Sequence, residues 1–243
     1  MNMNPPASKI IIALDVDSRD KALSLVRVLE EAGIFKVGLK LFTLLGPFFI
    51  HELHENGKKV FLDLKLHDIP NTVAGAVFEA VKHGVHMMTL HASGGSEMMT
   101  SAAEAASQAA KETGNPRPIL LAVTVLTSLQ QDQLDELGIS SSPLEQVLRL
   151  ARLAKNSGMD GVVCSPREID GIRRNLGREF LVAAPGIRPR WAEAHDQKRI
   201  MTPLEAFRKG ADYIVIGRPV IAAPSPGEAF RRIIEELAPE DPG

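Results

Sequence analysis

Lys59-Val-Phe-Leu-Asp63-Leu-Lys65 is typical of a β-strand whose two faces differ in chemistry. Side chains alternate along a strand, so the leucines point to one side while Asp63 and Lys65 point to the other. The leucine face is suited to packing, whereas the other face places a carboxylate beside an ammonium group, and Asp68 follows just beyond the strand. A strand of this kind is either half exposed or directed into an active site.

Around this strand, short apolar and β-branched runs alternate with segments of helical spacing. We predict eight strands, at residues 10–15, 35–39, 60–65, 87–91, 119–126, 161–164, 180–184 and 213–217. Eight strand–helix alternations without a linker predict an α/β fold, a single-domain (β/α)8 TIM barrel over residues 1–243, with the ordered barrel at about 9–237 and short tails. A doubly wound open sheet is the alternative, but its glycine-rich turn is absent after the first strand, where Ala13-Leu-Asp-Val-Asp17 stands.

Several predicted helices share one start signal, a Ser or Thr followed by Pro and, three positions after the hydroxyl residue, by Glu. This pattern supplies an N-cap hydroxyl, a proline at the first helical position and a glutamate that bonds back to the cap. The signal occurs at Ser142, Ser165, Thr202 and Ser225. Pro70 is predicted to open the helix after the third strand in a similar way.

The composition narrows the class of protein. The chain has 243 residues, of which 44% are hydrophobic and 24% charged, enough for one large core. A formal net charge of -2 leaves no basic stripe for nucleic acid. We find neither a secretory leader nor an apolar run of about 18 residues, so we expect a cytoplasmic protein without a transmembrane helix.

The cysteine and the histidines carry weaker signals. Cys164 is the single cysteine, which excludes an internal disulfide and fits a reducing compartment, and its apolar neighbours predict a core residue. His51/His54 and His83/His86 have helical i,i+3 spacing, but no third ligand accompanies either pair. We therefore predict solvated helix histidines rather than a metal site.

Charged residues at the predicted strand ends suggest chemistry, because inward side chains at the carboxyl rim of a barrel form its active site. By alternation, Asp15, Lys36, Asp63 and Lys65 face inward on three adjacent strands. Each charge offsets the desolvation of its neighbours, so we expect charged lysines and ionised carboxylates. A purely structural ion pair between Lys36 and Asp63 stays open, whereas for Lys65 and Asp68 we favour function.

A second polar group follows the predicted strands seven and eight. Pro185-Gly-Ile-Arg188 ends strand seven, Gly217-Arg218 ends strand eight, and Gln197 lies in the loop after Arg188. Loops in these positions often bind phosphorylated ligands in barrels, and two arginines supply charge-assisted hydrogen bonds. The two strand ends therefore predict a phosphate site.

The ordered set of motifs resembles the orotidine 5'-phosphate decarboxylase family over about residues 9–237. Asp63-Leu-Lys-Leu-His-Asp-Ile-Pro-Asn-Thr72 carries the Asp-x-Lys-x-x-Asp signature of that family. The other matching motifs follow in the family's order and are Leu14-Asp15, Lys36-Val-Gly38, His91-Ala-Ser-Gly-Gly95, Val123-Thr-Val-Leu-Thr-Ser128, Pro185-Gly-Ile-Arg188, Asp196-Gln197 and Gly217-Arg-Pro219.

The resemblance implies a lyase that converts orotidine 5'-phosphate to UMP and CO2, the last step of de novo pyrimidine (UMP) biosynthesis. It further implies that no metal or other cofactor takes part. The protein would be a cytoplasmic homodimer with its active sites at the subunit interface. Its partners would be the substrate, the product and a second copy of the chain, with no nucleic acid or membrane.

The resemblance also implies residue roles. Lys65 would donate the proton within an array that contains Lys36 and Asp63, and Asp68 would be contributed by the partner subunit. Substrate-binding roles would fall to Asp15, Lys36 and, from the partner, Thr72 at the ribose, to Asp63 within the array, to Thr127 at the pyrimidine edge, and to Arg188, Gln197, Gly217 and Arg218 at the phosphate.

One departure from the family pattern is the bulky segment Pro189-Arg-Trp-Ala-Glu-Ala-His195 where glycine is common. Two rival functions remain open at this level. The first is a Mg²⁺-dependent sugar-phosphate enzyme of the same suprafamily, which the Thr127 edge, Gln197 and Lys36 disfavour. The second is a non-catalytic nucleotide-binding protein, which the complete set of charged positions disfavours.

Overall fold

Eight parallel strands close into a barrel in chain order, with β8 paired to β1. The computed structural model describes residues 7–192 and 201–238. The strands are β1 Ile10–Ala13, β2 Ile34–Gly38, β3 Lys59–Leu66, β4 Met87–His91, β5 Ile119–Val123, β6 Gly161–Val163, β7 Leu181–Pro185 and β8 Tyr213–Ile216. The prediction of a (β/α)8 TIM barrel is confirmed, and the doubly wound alternative is wrong.

Helices follow the strands and surround the barrel. They are α1 Arg19–Val28, α2 Leu39–Leu45, α3 Phe48–Glu55, α4 Pro70–Lys82, α5 Gly95–Thr113, α6 Gln131–Glu136, α7 Pro143–Asn156, α8 Ile169–Leu176, α9 Pro203–Lys209, α10 Arg218–Ile221 and α11 Pro226–Leu237, with 3-10 turns at Ala7–Lys9 and Ala92–Gly94. No helix within residues 7–192 and 201–238 has the length and apolarity needed to cross a bilayer.

Alternation along the strands separates an inner from an outer apolar layer, as expected for parallel strands buried on both faces. The inner layer consists of Ile11, Ala13, Ile34, Phe61, Met87, Leu121, Ala183, Tyr213 and Val215. The outer faces pack against the helices in one larger cluster. Towards the carboxyl rim the inward positions of β2, β3 and β4 change to Lys36, Asp63 and Thr89, so the polar site lies directly on the inner apolar layer.

Four strands are shorter than predicted, β6 and β8 by one residue and β1 and β5 by more. β1 ends at Ala13 rather than Asp15, and β5 ends at Val123 rather than Leu126. The apolar run after β5 continues because Val125 and Leu126 line a cavity at the rim, so their apolarity serves that cavity rather than the sheet. The predicted β4 bounds are confirmed.

The helix-start signals were partly correct. Ser142 and Thr202 form complete capping boxes, and Pro70 and Pro226 open α4 and α11, although the Ser225 side chain makes no cap bond. The prediction at Ser165 is wrong, because α8 begins only at Ile169. One hydrogen bond of the capping box still forms, but within a turn before the helix: the Ser165 backbone N–H donates to Glu168 Oε2 over 2.8 Å.

Glu168 makes the stability depend on pH. Burial raises the pKa of Glu168 to about 7, against the opposing effects of the Ser165 N–H and Arg167. Since the folded pKa lies above the unfolded one, its stabilising contribution is present in acid and is lost as pH rises towards about 7. We expect Glu168→Gln to raise the melting temperature relative to the wild type at pH 8 but not at pH 5. An equal change of melting temperature at pH 5 and pH 8 would contradict this role of Glu168. Glu145→Gln, in the exposed cap of α7, is the control.

Candidate active site

β3 presents its polar residues through an irregular backbone. It pairs regularly with β2 up to Gly38 and Asp63, but its register with β4 shifts between Leu62 and Leu66. Lys65 lies within this shift and has φ 51°, the one positive φ of a non-glycine residue in the part of the chain that the structure describes. Such strain persists where surrounding contacts enforce it, and it is concentrated at functional sites.

Four charged side chains, three from β2 and β3 and one from the segment after β1, form a continuous ionic row. Lys65 Nζ lies 2.9 Å from both Asp63 Oδ1 and Asp63 Oδ2. Lys36 Nζ lies 3.6 Å from Asp63 Oδ2 and 3.2 Å from Oδ1 of Asp15, which follows β1. The order Asp15, Lys36, Asp63, Lys65 therefore alternates in charge, as expected from the sequence.

The electrostatics of this ionic row centre on Asp63, which is 9% exposed. Burial by itself would raise the pKa of Asp63, but Lys36, Lys65 and the hydrogen bonds from Lys65 and Thr89 outweigh burial and hold the pKa below its usual value. Asp63 is consequently an anion at neutral pH, and it keeps an ammonium group fixed on each side.

Gly38 leaves the space that this row needs. A Cβ atom at position 38 would lie 3.0 Å from Lys36 Nζ and 3.8 Å from Asp15 Oδ1. The absence of a side chain at the end of β2 therefore lets the Lys36 ammonium group reach both carboxylates.

Thr89 is a site residue that the sequence analysis did not select. Its hydroxyl donates to Asp63 Oδ1 over 2.9 Å and accepts from the Lys65 backbone N–H over 2.9 Å. Thr89 is fully buried on β4, so its hydroxyl joins the strained residue to the central carboxylate. A lone hydroxyl residue at an inward position of an otherwise apolar strand was the available signal.

His67 and His91 form a second feature, to which the sequence analysis assigned no role. Their rings lie 5.4 Å apart beside the ionic row. Burial, followed by electrostatic repulsion from His67 and Lys65, lowers the pKa of His91 against the opposing effect of Asp63. His91 is therefore neutral at physiological pH and adds no charge to the array.

We expect Thr89→Val to lower kcat about tenfold, because it replaces a buried hydroxyl by a methyl group of similar volume that makes no hydrogen bond. Asp63 and the Lys65 N–H would each lose a hydrogen bond, a loss of about 1–3 kcal/mol for a buried group. Thr89→Ser keeps the hydroxyl and is the matched control. Steady-state kinetics of the three proteins test this, and equal loss in both variants would show that shape rather than the hydroxyl matters.

Two cavities open at the rim and share Lys36, Asp63 and Lys65. The first, of about 190 Å³, is mostly apolar and is lined additionally by Phe61, Val123, Val125, Leu126, Thr127, Val163, Cys164, Pro185 and Val215. The second, of about 300 Å³, is lined additionally by Leu14, Asp15, Gly38, Leu39, Lys40 and Leu41. Cys164 is buried as predicted, and burial raises the pKa of its thiol.

The predicted phosphate residues that the structure describes follow β7 and β8 at the same rim of the barrel. Arg188 is 6% exposed just after β7, and its backbone N–H donates to Met201 O over 3.0 Å. Arg218 is the first residue of α10, directly after β8, and β7 and β8 are neighbouring strands. An added Cβ at Gly217 would lie 3.6 Å from Asp15 Oδ2, so this corner adjoins the ionic row. Gln197 lies outside the described residues.

Asp68 and Thr72 are the predicted residues that the single chain does not bring into the site. Both are exposed, neither lines the two cavities, and Asp68 Oδ1 accepts from the Ile69 backbone N–H over 2.7 Å. Ile69, which follows Asp68, has an apolar side chain that is 66% exposed, and Phe48 at the start of α3 is 78% exposed.

The closest contact among these histidines joins members of different sequence pairs, not His51 to His54 or His83 to His86. His51 Nε2 instead lies 3.0 Å from His83 Nδ1 across α3 and the end of α4. Within residues 7–192 and 201–238, no group of three or more His, Cys, Asp or Glu side chains is placed to hold a metal ion.

The closed barrel with an ionic row and two cavities at its carboxyl rim defines a (β/α)8-barrel enzyme. The model of the "Orotidine 5'-phosphate decarboxylase / HUMPS family" matches residues 8–233. Two relatives named orotidine 5'-phosphate decarboxylase are similar over nearly their whole length. The protein of Vibrio campbellii is 49% identical over 95% of this chain and 97% of its own, and that of Actinobacillus succinogenes is 51% identical over 95% and 98%.

A solved structure is similar to this chain in both fold and sequence. The crystal structure of orotidine 5'-phosphate decarboxylase from Lactobacillus acidophilus superposes with a TM-score of 0.83 and 39% identity, covering 95% of this chain and 99% of that one. The chain belongs to the orotidine 5'-phosphate decarboxylase / HUMPS family.

Proposed function

We propose that this protein decarboxylates orotidine 5'-phosphate to UMP and CO2 without a cofactor, the last step of UMP biosynthesis. The observation that carries the proposal is the ionic row in which Lys36 and Lys65 flank the buried Asp63 on the wall of the first cavity. The family relationship and the names of the relatives support the same reaction.

The ionic row suits a reaction that leaves negative charge on a ring carbon. When the bond from C6 to the carboxylate breaks, its electron pair stays on C6, where no ring carbonyl can readily delocalise it. The Lys65 ammonium group stabilises that charge, transfers a proton to C6 and regains one from solvent. At about 3.5 Å and an effective dielectric near 20 the attraction is about 4–5 kcal/mol, or about three powers of ten in rate.

Substrate binding is divided between the two ends of the site. The pyrimidine occupies the apolar cavity with Thr127 at its edge, and Asp15 and Lys36 hold the ribose in the second cavity. Arg188, Gly217 and Arg218, with Gln197, bind the 5'-phosphate. Binding energy from the phosphate, which does not react, is then available to orient and desolvate the reacting end.

The proposed enzyme is a cytoplasmic homodimer that shares its active sites. Asp68 and Thr72 are exposed and do not line the cavities of their own chain, and the apolar side chains of Ile69, which follows Asp68, and of Phe48 are exposed as well. A symmetric interface that buries these apolar side chains would bring Asp68 of the partner subunit to Lys65. The carboxylate of the substrate would then face a second negative charge before CO2 leaves.

Asp63 argues against the alternative of a Mg²⁺-dependent sugar-phosphate enzyme. Both of its carboxylate oxygens lie 2.9 Å from the Lys65 ammonium group, and Lys36 adds a second positive charge nearby. Two fixed cations repel a divalent cation from this carboxylate, so the array is matched to an anionic substrate rather than to a metal ion.

The test is to follow orotidine 5'-phosphate absorbance with protein made in a host that lacks its own decarboxylase, in the presence of EDTA. We expect rapid conversion with UMP and CO2 in equal amounts. Turnover of a sugar phosphate with Mg²⁺ and none of the nucleotide would contradict the proposal in favour of the sister activity. Tight UMP binding without turnover would contradict it in favour of a binding protein.

A further inference from the structure

Trp191, the sole tryptophan of the chain, is held by α11 just beyond the predicted phosphate site. Its side chain is partly buried and packs against the outer core, and the Arg232 guanidinium carbon lies 4.9 Å from the centroid of its ring. This distance is within the range of a cation–π interaction. The tryptophan therefore has an apolar contact on the barrel and a charged contact on the helix.

Glu236 adds a second contact between α11 and the same segment. It lies one helical turn after Arg232, so both side chains project from one face of α11. Burial raises the pKa of Glu236, and the neighbouring Arg190 opposes that rise, so the Glu236 carboxylate lies close enough to Arg190 to interact with it electrostatically. Consecutive residues, Arg190 and Trp191, thus each interact with a charged side chain of α11. We call Arg190, Trp191, Arg232 and Glu236 the α11 clasp.

The α11 clasp is connected to both predicted phosphate arginines. Arg188 lies two residues before Arg190, in a segment that is fixed on its other side by the bond from the Arg188 N–H to Met201 O. Arg218 begins α10, and α11 packs against both α10 and α9. The same helix therefore supports the loop that carries Arg188 and the helix that carries Arg218.

We propose that the α11 clasp positions Arg188 relative to Arg218 and so sets the affinity of the site for the 5'-phosphate of the nucleotide. This inference rests on the proposed function, because it assigns that phosphate to Arg188 and Arg218. Trp191, Arg232 and Glu236 are positioning residues, since they act on the phosphate through Arg188 rather than by contact with the reacting atoms. In this proposal, the bulky Trp191 after Arg188 serves to hold Arg188 in position.

The test compares inhibition constants as the ratio of the uridine constant to the UMP constant, which isolates the contribution of the phosphate. We expect Arg232→Gln to reduce this ratio at least about fivefold by weakening UMP binding alone, with a matching rise in KM and an unchanged kcat. Arg231→Gln is the matched control, because Arg231 is the neighbouring exposed arginine of α11 and pairs with Glu31 instead. Trp191→Ala should lower the ratio as well, and Trp191→Phe, which keeps an aromatic face, should restore most of it.

Fluorescence of the sole tryptophan gives an independent readout. Arg232→Gln should shift the Trp191 emission spectrum, whereas Arg231→Gln should not. A uridine-to-UMP ratio of inhibition constants in Arg232→Gln equal to that of the wild type would overturn the inference, as would equal losses of UMP and uridine binding. A wild-type protein that does not bind UMP more tightly than uridine would instead overturn the proposed function, so the two failures are distinguishable.

Discussion

Lys65→Ala is expected to lower kcat for orotidine 5'-phosphate by at least about three powers of ten while the barrel remains folded. The substitution removes both the positive charge beside C6 and the proton that replaces CO2. Asp63 keeps Lys36 at 3.6 Å and the Thr89 hydroxyl at 2.9 Å, so the central carboxylate does not become an unpaired buried charge. The loss should therefore be chemical rather than structural.

The measurement is single-turnover kinetics together with thermal unfolding of the same preparations. Lys59→Ala is the matched control, since Lys59 is an exposed lysine at the opposite end of the same strand, and it should retain wild-type kcat. Turnover of Lys65→Ala within a factor of ten of the wild type would contradict the assigned role of Lys65.

Mixing inactive Lys65→Ala with inactive Asp68→Ala is expected to restore about a quarter of the activity of an equal amount of wild-type protein. Random reassociation puts half of the chains in mixed dimers, and each mixed dimer contains one site with both substitutions and one site with neither. The recovered site takes Lys65 from one chain and Asp68 from the other.

Recovery should require subunit exchange, so activity should rise only after dilution below the dissociation constant of the dimer or after mild denaturation and refolding. Mixing Lys65→Ala with Lys65→Met, which leaves every site without the lysine, is the control and should stay inactive. Reassociated mixed dimers without activity would contradict the shared site.

The barrel was predictable because its signals are local and repeated. Eight apolar runs alternate with helical segments, and each predicted strand overlaps an observed one. The errors arose where apolarity or capping chemistry had another cause. Val125 and Leu126 are apolar because they line a cavity, and the Ser165 signal forms a turn before α8 rather than its start.

The grouping of Asp15, Lys36, Asp63 and Lys65 was also predictable, because alternation on adjacent parallel strands brings inward residues to one rim. The positive φ of Lys65 was not, since it depends on the register shift between β3 and β4. The Thr89 hydroxyl was missed for a related reason. Its importance depends on which atoms of the neighbouring strand it meets, and one sequence does not specify these.

The most direct test of the central claim is decarboxylation of orotidine 5'-phosphate in D2O with EDTA present, with the UMP product examined by mass spectrometry and proton NMR. We predict one deuterium at C6 of UMP for each CO2 released, because the exchangeable ammonium group of Lys65 supplies the hydrogen that replaces the carboxylate. UMP without deuterium at C6, or no UMP at all, would contradict the account.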